Sequence, residues 1–362
     1  MKASPIRAVA LVSQFPLLAP RALTGRFDRR TGPVRLRSAL LNIATVLGLA
    51  TLALSATPPA QAAAQSSSIP GWLAAHVGEG PGQIAQPVLL RARSLYMQKL
   101  SSGAVRNACY FAMDATRPND PGAGRFYIIC ESAHAFRAIA AGHGSGRSLP
   151  GAANFANGRA CAKNFGNALD SDLTAGGPYV TGETKTSFKG YYRTSGKQDA
   201  IFMRTFLQFD GEGETANARQ RAIGGHEAAA LKGVCLRKEP GSPYADSNGY
   251  VPFGNLVDYT GGRSDGCTSW SPGNIQQILA MVKGNPTTLY IYPGAADVDA
   301  VARAVASGQS PARAGLYWNA SCLRAIGAPH FWPRQTLEPL IAQYKAAHPP
   351  GPQRPTPICA GQ

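Results

Sequence analysis

The sequence lacks the residue spacings with which proteins bind structural metal ions. No Cys-x-x-Cys and no His-x-x-x-His pattern occurs among its 362 residues, and zinc-binding modules depend on spacings of this kind. A structural zinc site is therefore not expected. We predict neither a metal ion nor an organic cofactor.

Acidic residues are also scarce, with 20 Asp and Glu against 36 Lys and Arg and a formal net charge of +16. A basic surface suits either nucleic acid or an anionic cell envelope. The chain shows neither the aromatic and basic motif of an RNA-binding sheet nor the pattern of a DNA recognition helix. These absences argue against nucleic acid.

The first 62 residues have the order of segments found in a signal peptide. An uncharged apolar run covers residues 38–56, and a small-x-small cleavage site follows at residues 60–62. A long basic n-region precedes the run and contains Arg26, Arg29, Arg30, Arg35 and Arg37. The alternative is an uncleaved membrane anchor, because the run approaches the ~20 residues that span a bilayer. The Arg29-Arg30 pair also hints at twin-arginine export.

Removal of residues 1–62 would take away eight basic residues and one acidic residue, which leaves about +9 of the net +16. We expect the mature chain to be exported to the periplasm or the cell envelope. A membrane contact is expected only through an uncleaved signal peptide.

The chain has seven cysteines, and an oxidising compartment favours reading them as disulfides. Six cysteines allow 15 arrangements, so the sequence does not fix the pairing. An odd number leaves one thiol unpaired, and we expect this to be Cys267. The favoured pairs are Cys109–Cys130 in adjacent strand-like runs, Cys322–Cys359 in the tail, and Cys161–Cys235.

The predicted fold is mainly β with flanking helices (α+β). Residues 63–106 read as a linker and an amphipathic helix at 84–100, because the apolar residues recur at helical spacing. Residues 107–293 carry short β-like runs broken by Gly, Pro and Asn, which predicts a β-sheet or sandwich domain. Residues 294–362 are Ala-rich and helical in composition and then Pro-rich from 349 to 357, and we predict a C-terminal extension there.

Within residues 107–293, three runs predict a β-meander, and further runs predict two more strands, two helical segments and a last strand that closes the sheet. In chain order these are residues 109–113, 125–130 and 135–140 for the meander, 179–184 and 202–209 for the next strands, 217–221 and 272–283 for the helical segments, and 288–292 for the last strand.

The most informative segment is the turn that places Cys267 after Gly266, at residues 263–268. A cysteine becomes a nucleophile when a nearby histidine, a cation or backbone dipoles make its thiolate available. His226 lies upstream and is the candidate base. Taken alone, the Gly-Cys pair is equally compatible with a disulfide or a buried thiol.

Six segments occur in an order that resembles the L,D-transpeptidase family, in its murein L,D-transpeptidase catalytic-domain branch. The resemblance covers roughly residues 107–293. The segments are residues 110–114 and 125–129 for two strands, 143–146 for a His-Gly loop, 179–184 for a Thr-Gly-Glu strand, 217–223 before the histidine, and 263–267 for the nucleophile turn.

The resemblance implies a catalytic role for each residue of the turn. Cys267 would be the nucleophile and His226 the general base, while Gly266 and the Cys267 amide would bind the oxyanion and Ser264 would shape the turn. The implied reaction is acyl transfer on peptidoglycan stem peptides through a Cys267 thioester. The alternatives are an L,D-carboxypeptidase or endopeptidase that uses the same thioester, and a peptidoglycan-binding protein without activity.

The chain departs from the family pattern at three places. Asp265 stands where better-known members carry a second histidine, and an acid beside the thiol would raise the thiol pKa unless it points away. Thr268 stands where proline is usual. A span of 40 residues separates His226 from Cys267, and its insert at 228–262 is read either as a lid or as a disulfide-tied surface loop.

Four further residues are candidates for substrate binding, and three of them have a plainer alternative. His143 would line the acceptor side of the cleft or simply bond to backbone in its loop. Glu183 would be a cleft residue or a charge at a strand end. Arg263 and Asp265 flank the Gly-Cys turn, where Arg263 would guide a stem-peptide carboxylate or remain solvated.

Overall fold

The structure is a computed structural model and describes residues 69–360. The signal peptide predicted at residues 1–62 lies outside the described residues. Within the described part of the chain, no helix is both long enough and apolar enough to cross a membrane.

Strands dominate the described residues, and most of them belong to one mixed sheet of ten strands. The strands in chain order are β1 (Cys109–Asp114), β2 (Phe126–Cys130), β3 (Ala135–Ile139), β4 (His143–Gly144), β5 (Ser148–Leu149), β6 (Ala153–Asn154), β7 (Asn164–Gly166), β8 (Gly177–Arg193), β9 (Asp199–Gly211), β10 (Gly224–Glu227), β11 (Ala229–Lys238), β12 (Tyr250–Asp258), β13 (Arg263–Ser264), β14 (Thr268–Trp270), β15 (Thr288–Tyr292) and β16 (His330–Trp332).

The large sheet has the order β14-β10-β9-β8-β15-β1-β2-β3, and the hairpin β11–β12 joins it through β8. The β1–β2–β3 meander is antiparallel, as predicted. Parallel pairs form between β1 and β15, between β10 and β14, and between β12 and the far end of β8. The β15 strand lies between β8 and β1, so the prediction that it closes the sheet is wrong.

Helices cover both faces of the large sheet. They are α1 (Gly71–Ala74), α2 (Gln86–Ser101), α3 (Pro272–Val282), α4 (Ala295–Ala306), α5 (Ala320–Ile326) and α6 (Arg334–Ala347). The predicted helices at 84–100 and 272–283 correspond to α2 and α3. On one face the sheet packs against α2, and on the other against α3 and α4. The fold is thus mainly β with flanking helices, as predicted, and is built on one large sheet rather than on a sandwich.

Strand β1 illustrates why the strand-forming runs of the sequence are largely apolar. Phe111 and Met113 belong to the core beneath α3 and α4, whereas Tyr110 and Ala112 belong to the core beneath α2. Successive side chains of a strand point to opposite faces. A strand that is covered on both faces therefore needs apolar residues at every position.

The segment at residues 217–221 was predicted to be helical, and this prediction is wrong. The chain there forms successive turns that end just before β10. Ala222 adopts a positive φ of 52° at the end of these turns. Helical composition over five residues is a weak signal, because a helix this short cannot offset its nucleation cost.

Three disulfides form, and Cys267 is the unpaired cysteine, as predicted. The bridge between Cys109 and Cys130 joins residues that face each other across β1 and β2. The pairing predicted for the other four cysteines is wrong, because the bridges are Cys161–Cys322 and Cys235–Cys359. Composition could not reveal that α5 packs near the loop of Cys161 and that the tail lies along β11.

The insert at residues 228–262 forms the hairpin β11–β12. Its outer end pairs with β8, where Phe253 faces Tyr191. We refer to residues 187–204 of the β8–β9 hairpin, together with the β11–β12 hairpin at residues 229–258, as the arm. The C-terminal segment is joined to the arm by the Cys235–Cys359 disulfide. Two backbone hydrogen bonds also connect them, one donated by the Leu236 N–H and one accepted by the Leu236 carbonyl.

The predicted C-terminal extension packs into the same compact unit as the sheet over the described residues. Val298, Val301 and Trp318 belong to the core beneath the sheet. Strand β16 pairs with β7, and α6 buries Leu337 against Leu173 and its neighbours.

Candidate active site

The Gly-Cys turn connects β13 with β14 and is held from both sides. Strand β13 pairs in parallel with β4, so that Ser264 faces Gly144. The Ser264 hydroxyl donates to the backbone carbonyl of Cys267 and so closes the turn. Ser264 is buried, and its position fits the turn-shaping role that the resemblance implies.

Gly266 is the one position in this turn that requires glycine. Its φ is +101°, a conformation that L side chains rarely adopt. A Cβ atom there would lie 3.1 Å from both the Ile223 Cδ1 atom and the Leu173 carbonyl oxygen. The turn therefore presents the Cys267 backbone and sulfur without a neighbouring side chain in the way.

The Cys267 thiol is half-buried and protonated in the resting protein. Its sulfur donates a hydrogen bond to the Ala222 carbonyl at 3.5 Å. Burial raises the pKa of the thiol to about 11, and the nearby Asp265 carboxylate adds to the rise. The Gly224 backbone N–H and the Arg221 and Arg204 guanidinium groups act in the opposite direction.

His226 lies on β10, the parallel neighbour of β14, with Ser269 opposite. Cys267 precedes β14 directly, and adjacent strands lie about 4.8 Å apart. Cys267 stands two residues before Ser269, the residue opposite His226. The thiol and the imidazole therefore lie on neighbouring segments of the chain.

A backbone contact fixes the tautomer of His226. Its Nδ1 atom lies 2.8 Å from the Glu227 carbonyl oxygen, which can only accept a hydrogen bond, so Nδ1 carries the proton. In a neutral imidazole this leaves Nε2 as the proton acceptor. The pKa of His226 is lowered to about 4, mainly by burial and to a smaller extent by Arg204, while the hydrogen bond to the Glu227 carbonyl opposes the shift.

The two pKa values together define the resting state of the pair. A thiol with a pKa of about 11 does not transfer its proton to an imidazole with a pKa of about 4. Cys267 and His226 are therefore both neutral at pH 7. The thiol therefore keeps its proton in the resting protein, where its hydrogen-bond partner is the Ala222 carbonyl.

Tyr259 was missed by the sequence analysis and lies against the candidate base. It follows β12, and its hydroxyl is 3.3 Å from the Glu227 carbonyl and 3.4 Å from Nδ1 of His226. Burial raises the pKa of Tyr259 to about 12, so the hydroxyl stays protonated and donates. No signal in the sequence linked this residue to His226, because it stands 33 residues away in the insert.

Two arginines near the thiol were also missed as individual candidates. Arg221 donates to the Leu173 carbonyl at 2.7 Å, and its charge favours the Cys267 thiolate. Arg204 lies on β9 beside Tyr259 and acts on both Cys267 and His226. Arg221 lies in the segment at residues 217–223 that resembles the L,D-transpeptidase family, whereas Arg204 belongs to none of the motifs found in the sequence.

Asp265 and Arg263 differ in their effect on the thiol. Asp265 is exposed, and it raises the Cys267 pKa as expected for an acid beside the sulfur. Arg263 is exposed as well, and its guanidinium donates to the Asn157 carbonyl across the β13–β4 pair. The cations that act most strongly on the sulfur are Arg221 and Arg204.

His143 is fully buried beneath the Gly-Cys turn. Its Nδ1 atom lies 2.7 Å from the Arg125 guanidinium, and its Nε2 atom lies 3.0 Å from the Gly158 carbonyl. Burial lowers its pKa well below the ordinary histidine value. Both nitrogens are thus occupied, which corresponds to the alternative of a histidine that bonds within the protein.

Glu183 is exposed on β8 and belongs to a surface group of charges. Its carboxylate pairs with Arg219 at 2.8 Å and with Lys185 at 2.9 Å. These cations hold the pKa of Glu183 well below its usual range. Glu183 is therefore a paired surface charge within a long strand, and the alternative that placed it at a strand end is wrong.

The described residues contain no group of three or more His, Cys, Asp or Glu side chains placed to hold a metal ion. Trp270 and Trp318 are buried in the main core, where they serve packing. The chain matches no family model, no curated protein and no solved structure.

Proposed function

We propose that this chain is an exported cysteine acyltransferase of the L,D-transpeptidase type, which acts on peptidoglycan stem peptides in the periplasm or cell envelope. One observation carries the proposal. The single unpaired cysteine among seven lies on a glycine turn beside β10, where His226 keeps Nε2 unprotonated. The three disulfides are compatible with an exported protein.

Acylation would start with the neutral pair. The Cys267 sulfur attacks the carbonyl carbon of the third, diamino-acid residue of a stem peptide, while its proton passes to Nε2 of His226. The carbonyl oxygen becomes an oxyanion that the Cys267 backbone N–H stabilises. The tetrahedral intermediate then collapses, and the C–N bond to the terminal D-alanine breaks. His226 returns its proton to the leaving amine, and a thioester remains on Cys267.

The second half would transfer the acyl group. An amine of a neighbouring stem attacks the thioester carbonyl and gives its proton to His226. The C–S bond breaks, the new amide forms the cross-link, and the sulfur takes back a proton. Water in place of the amine would make the chain a carboxypeptidase. If Cys267 attacked the amide of an existing cross-link, the amine of the other stem would leave, and hydrolysis of the resulting thioester would make the chain an endopeptidase.

A carbapenem tests the nucleophile directly, because opening of its strained ring leaves a stable acyl-cysteine. Protein that lacks residues 1–62 should gain the mass of one intact carbapenem, and peptide mapping should place it on Cys267. Cys267→Ala should gain no mass, and His226→Gln should react at least about tenfold more slowly. If the folded wild-type chain with its three disulfides gained no adduct, the proposal would be wrong and a binding protein would be favoured.

The products formed from muropeptides distinguish acyl transfer from hydrolysis. Tetrapeptide-bearing muropeptides should be converted to cross-linked dimers with release of D-alanine. Trimmed monomers without dimers would identify a hydrolase and contradict the transferase assignment. Cys267→Ala is the control for both products.

A further inference from the structure

The two faces of the arm differ, and the difference is clearest on β9. Phe206 pairs with His226, and strand alternation places Arg204 and Phe202 on the same face as Phe206. Ile201 and Met203 project from the opposite face, which we call the outer face.

The outer face exposes two large apolar side chains next to each other. Ile201 is 49% exposed and Met203 is 44% exposed. Their partners across the β8–β9 hairpin are Tyr191 and Lys189. Tyr191 is covered by the loop between β11 and β12, where its ring meets that of Tyr244. The loop leaves Ile201 and Met203 uncovered.

Two exposed lysines flank this apolar pair. Residues 187–204 carry four basic side chains and one acidic side chain, and Arg204 is the basic one that lies on the opposite face, beside His226. The acidic residue is Asp199, and it is already paired with Arg193 at 2.7 Å and with Arg237. Lys189 is exposed directly across from Met203, and Lys197 is exposed in the turn at the end of the hairpin.

We propose that the outer face of the arm binds an anionic lipid surface. Exposed aliphatic side chains gain free energy only where a hydrocarbon phase is available, and the surrounding lysines match the negative charge of lipid headgroups. A soluble polyanion would satisfy the lysines and leave Ile201 and Met203 in water. Apolar side chains flanked by cations are the composition of interfacial membrane-binding surfaces.

Attachment through the outer face would leave the catalytic face clear of the bilayer. Arg204 and Phe206 lie beside His226 on the other side of the same strand. A bound arm therefore turns the Cys267 site away from the lipid. The proposal does not depend on the acyltransferase activity, because lipid binding is measured without a substrate.

Vesicle co-sedimentation tests this proposal. The protein used lacks residues 1–62, because the apolar run at 38–56 would bind lipid by itself, and the described residues 69–360 form one compact unit with its own cores. We expect binding to vesicles in which phosphatidylcholine is mixed with anionic phosphatidylglycerol, because lysines near an anionic membrane surface are attracted to it. Binding to phosphatidylcholine alone should be much weaker.

Two double substitutions test the apolar side chains and the lysines of the outer face separately. Ile201→Ser with Met203→Ser should weaken binding at least about tenfold. Lys189→Gln with Lys197→Gln should weaken it about fivefold for each lysine. The matched control is Leu90→Ser with Lys283→Gln, which removes an exposed apolar residue on α2 and a cation after α3; its binding should equal that of the wild type. Unchanged circular dichroism shows that each variant is folded.

Three results would overturn the proposal. The first is no binding to either kind of vesicle, or equal binding by the wild type and the Ser variant. The second is a dimer in the absence of lipid that the Ser variant abolishes, which would assign the face to a second copy of the chain. The third is equally tight binding to a soluble polyanion such as polyphosphate, with no effect of the apolar substitutions.

Discussion

Single residues around the Gly-Cys turn decide when the Cys267 thiol can react. Burial raises its pKa to about 11, and burial lowers that of His226 to about 4. The Gly224 N–H, Arg221 and Arg204 favour the thiolate, but they do not offset the cost of removing the thiolate from water. The resting pair is therefore a neutral thiol and a neutral imidazole rather than a thiolate–imidazolium ion pair.

The pH dependence of two reagents follows from these values. Alkylation by iodoacetamide requires the thiolate, so its rate should rise about tenfold per pH unit towards an inflection near pH 11. Acylation by a carbapenem uses neutral His226, so its rate should fall only as pH falls through about 4, where the ring takes up a proton. Both rates are read by mass spectrometry, with circular dichroism at each pH. An alkylation inflection between pH 5 and 7 would contradict the neutral pair.

Tyr259 is expected to act as a positioning residue for His226. Tyr259→Phe removes the hydroxyl that lies 3.3 Å from the Glu227 carbonyl and 3.4 Å from Nδ1. The imidazole should become less well oriented and better hydrated, so kcat should fall about 5- to 20-fold with little change in KM, in line with the loss of one to two hydrogen bonds. The acid inflection of acylation should move upwards from about 4.

The control for this prediction is Tyr250→Phe on the same hairpin. Tyr250 carries Lys238 over its ring rather than a contact to His226. A loss of activity that is equal in both variants, or an unchanged acid inflection in Tyr259→Phe, would assign Tyr259 a purely structural role.

At the scale of elements, the insert is the clearest difference between expectation and structure. The alternatives were a lid and a disulfide-tied surface loop. Residues 228–262 are tied by the Cys235–Cys359 disulfide but form a β-hairpin, which pairs with the extended end of β8. The hairpin begins beside His226 and ends at Tyr259, so its root belongs to the candidate site. Its strand pattern was hard to recognise, because one side faces solvent and a bulge at Lys232 to Cys235 breaks the alternation.

The Cys235–Cys359 bridge should hold the arm to the chain end. Cys235→Ser with Cys359→Ser should lower the free energy of unfolding by about 2–4 kcal/mol, since the bridge closes a long loop. It should also expose residues 239–249 to limited proteolysis. Cys161→Ser with Cys322→Ser serves as the comparison, because Cys322 is fully buried beneath the sheet and lies away from the arm. Equal cleavage of the arm in both variants would contradict the role of the tail.

At the scale of the whole molecule, the sequence predicted local features better than long-range ones. The meander, α2, α3 and the Cys109–Cys130 bridge depend on local periodicity or on adjacent strands, and all of them are found. The central position of β15 and the other two disulfides depend on segments more than 100 residues apart. Spacing in a single sequence contains no information on such contacts.

The residues of the candidate site also separate into those that the sequence could predict and those that it could not. Cys267, Gly266, Ser264 and His226 could be singled out because they lie in short motifs. Arg204 and Tyr259 could not, since the sheet brings them to His226 from β9 and from the end of β12. The C-terminal region was treated as separate because its composition changes, yet α4 and α5 complete the core beneath the sheet.

The protonated resting state of Cys267 has a consequence for the lifetime of the protein outside the cytoplasm. Peroxides and disulfide-exchange catalysts attack thiolates, and a thiol that keeps its proton reacts with them slowly. A sulfur with a pKa of about 11 is almost entirely S–H at neutral pH. The burial that raises this pKa therefore also protects the one unpaired cysteine from oxidation under the oxidising conditions in which the other six are bridged.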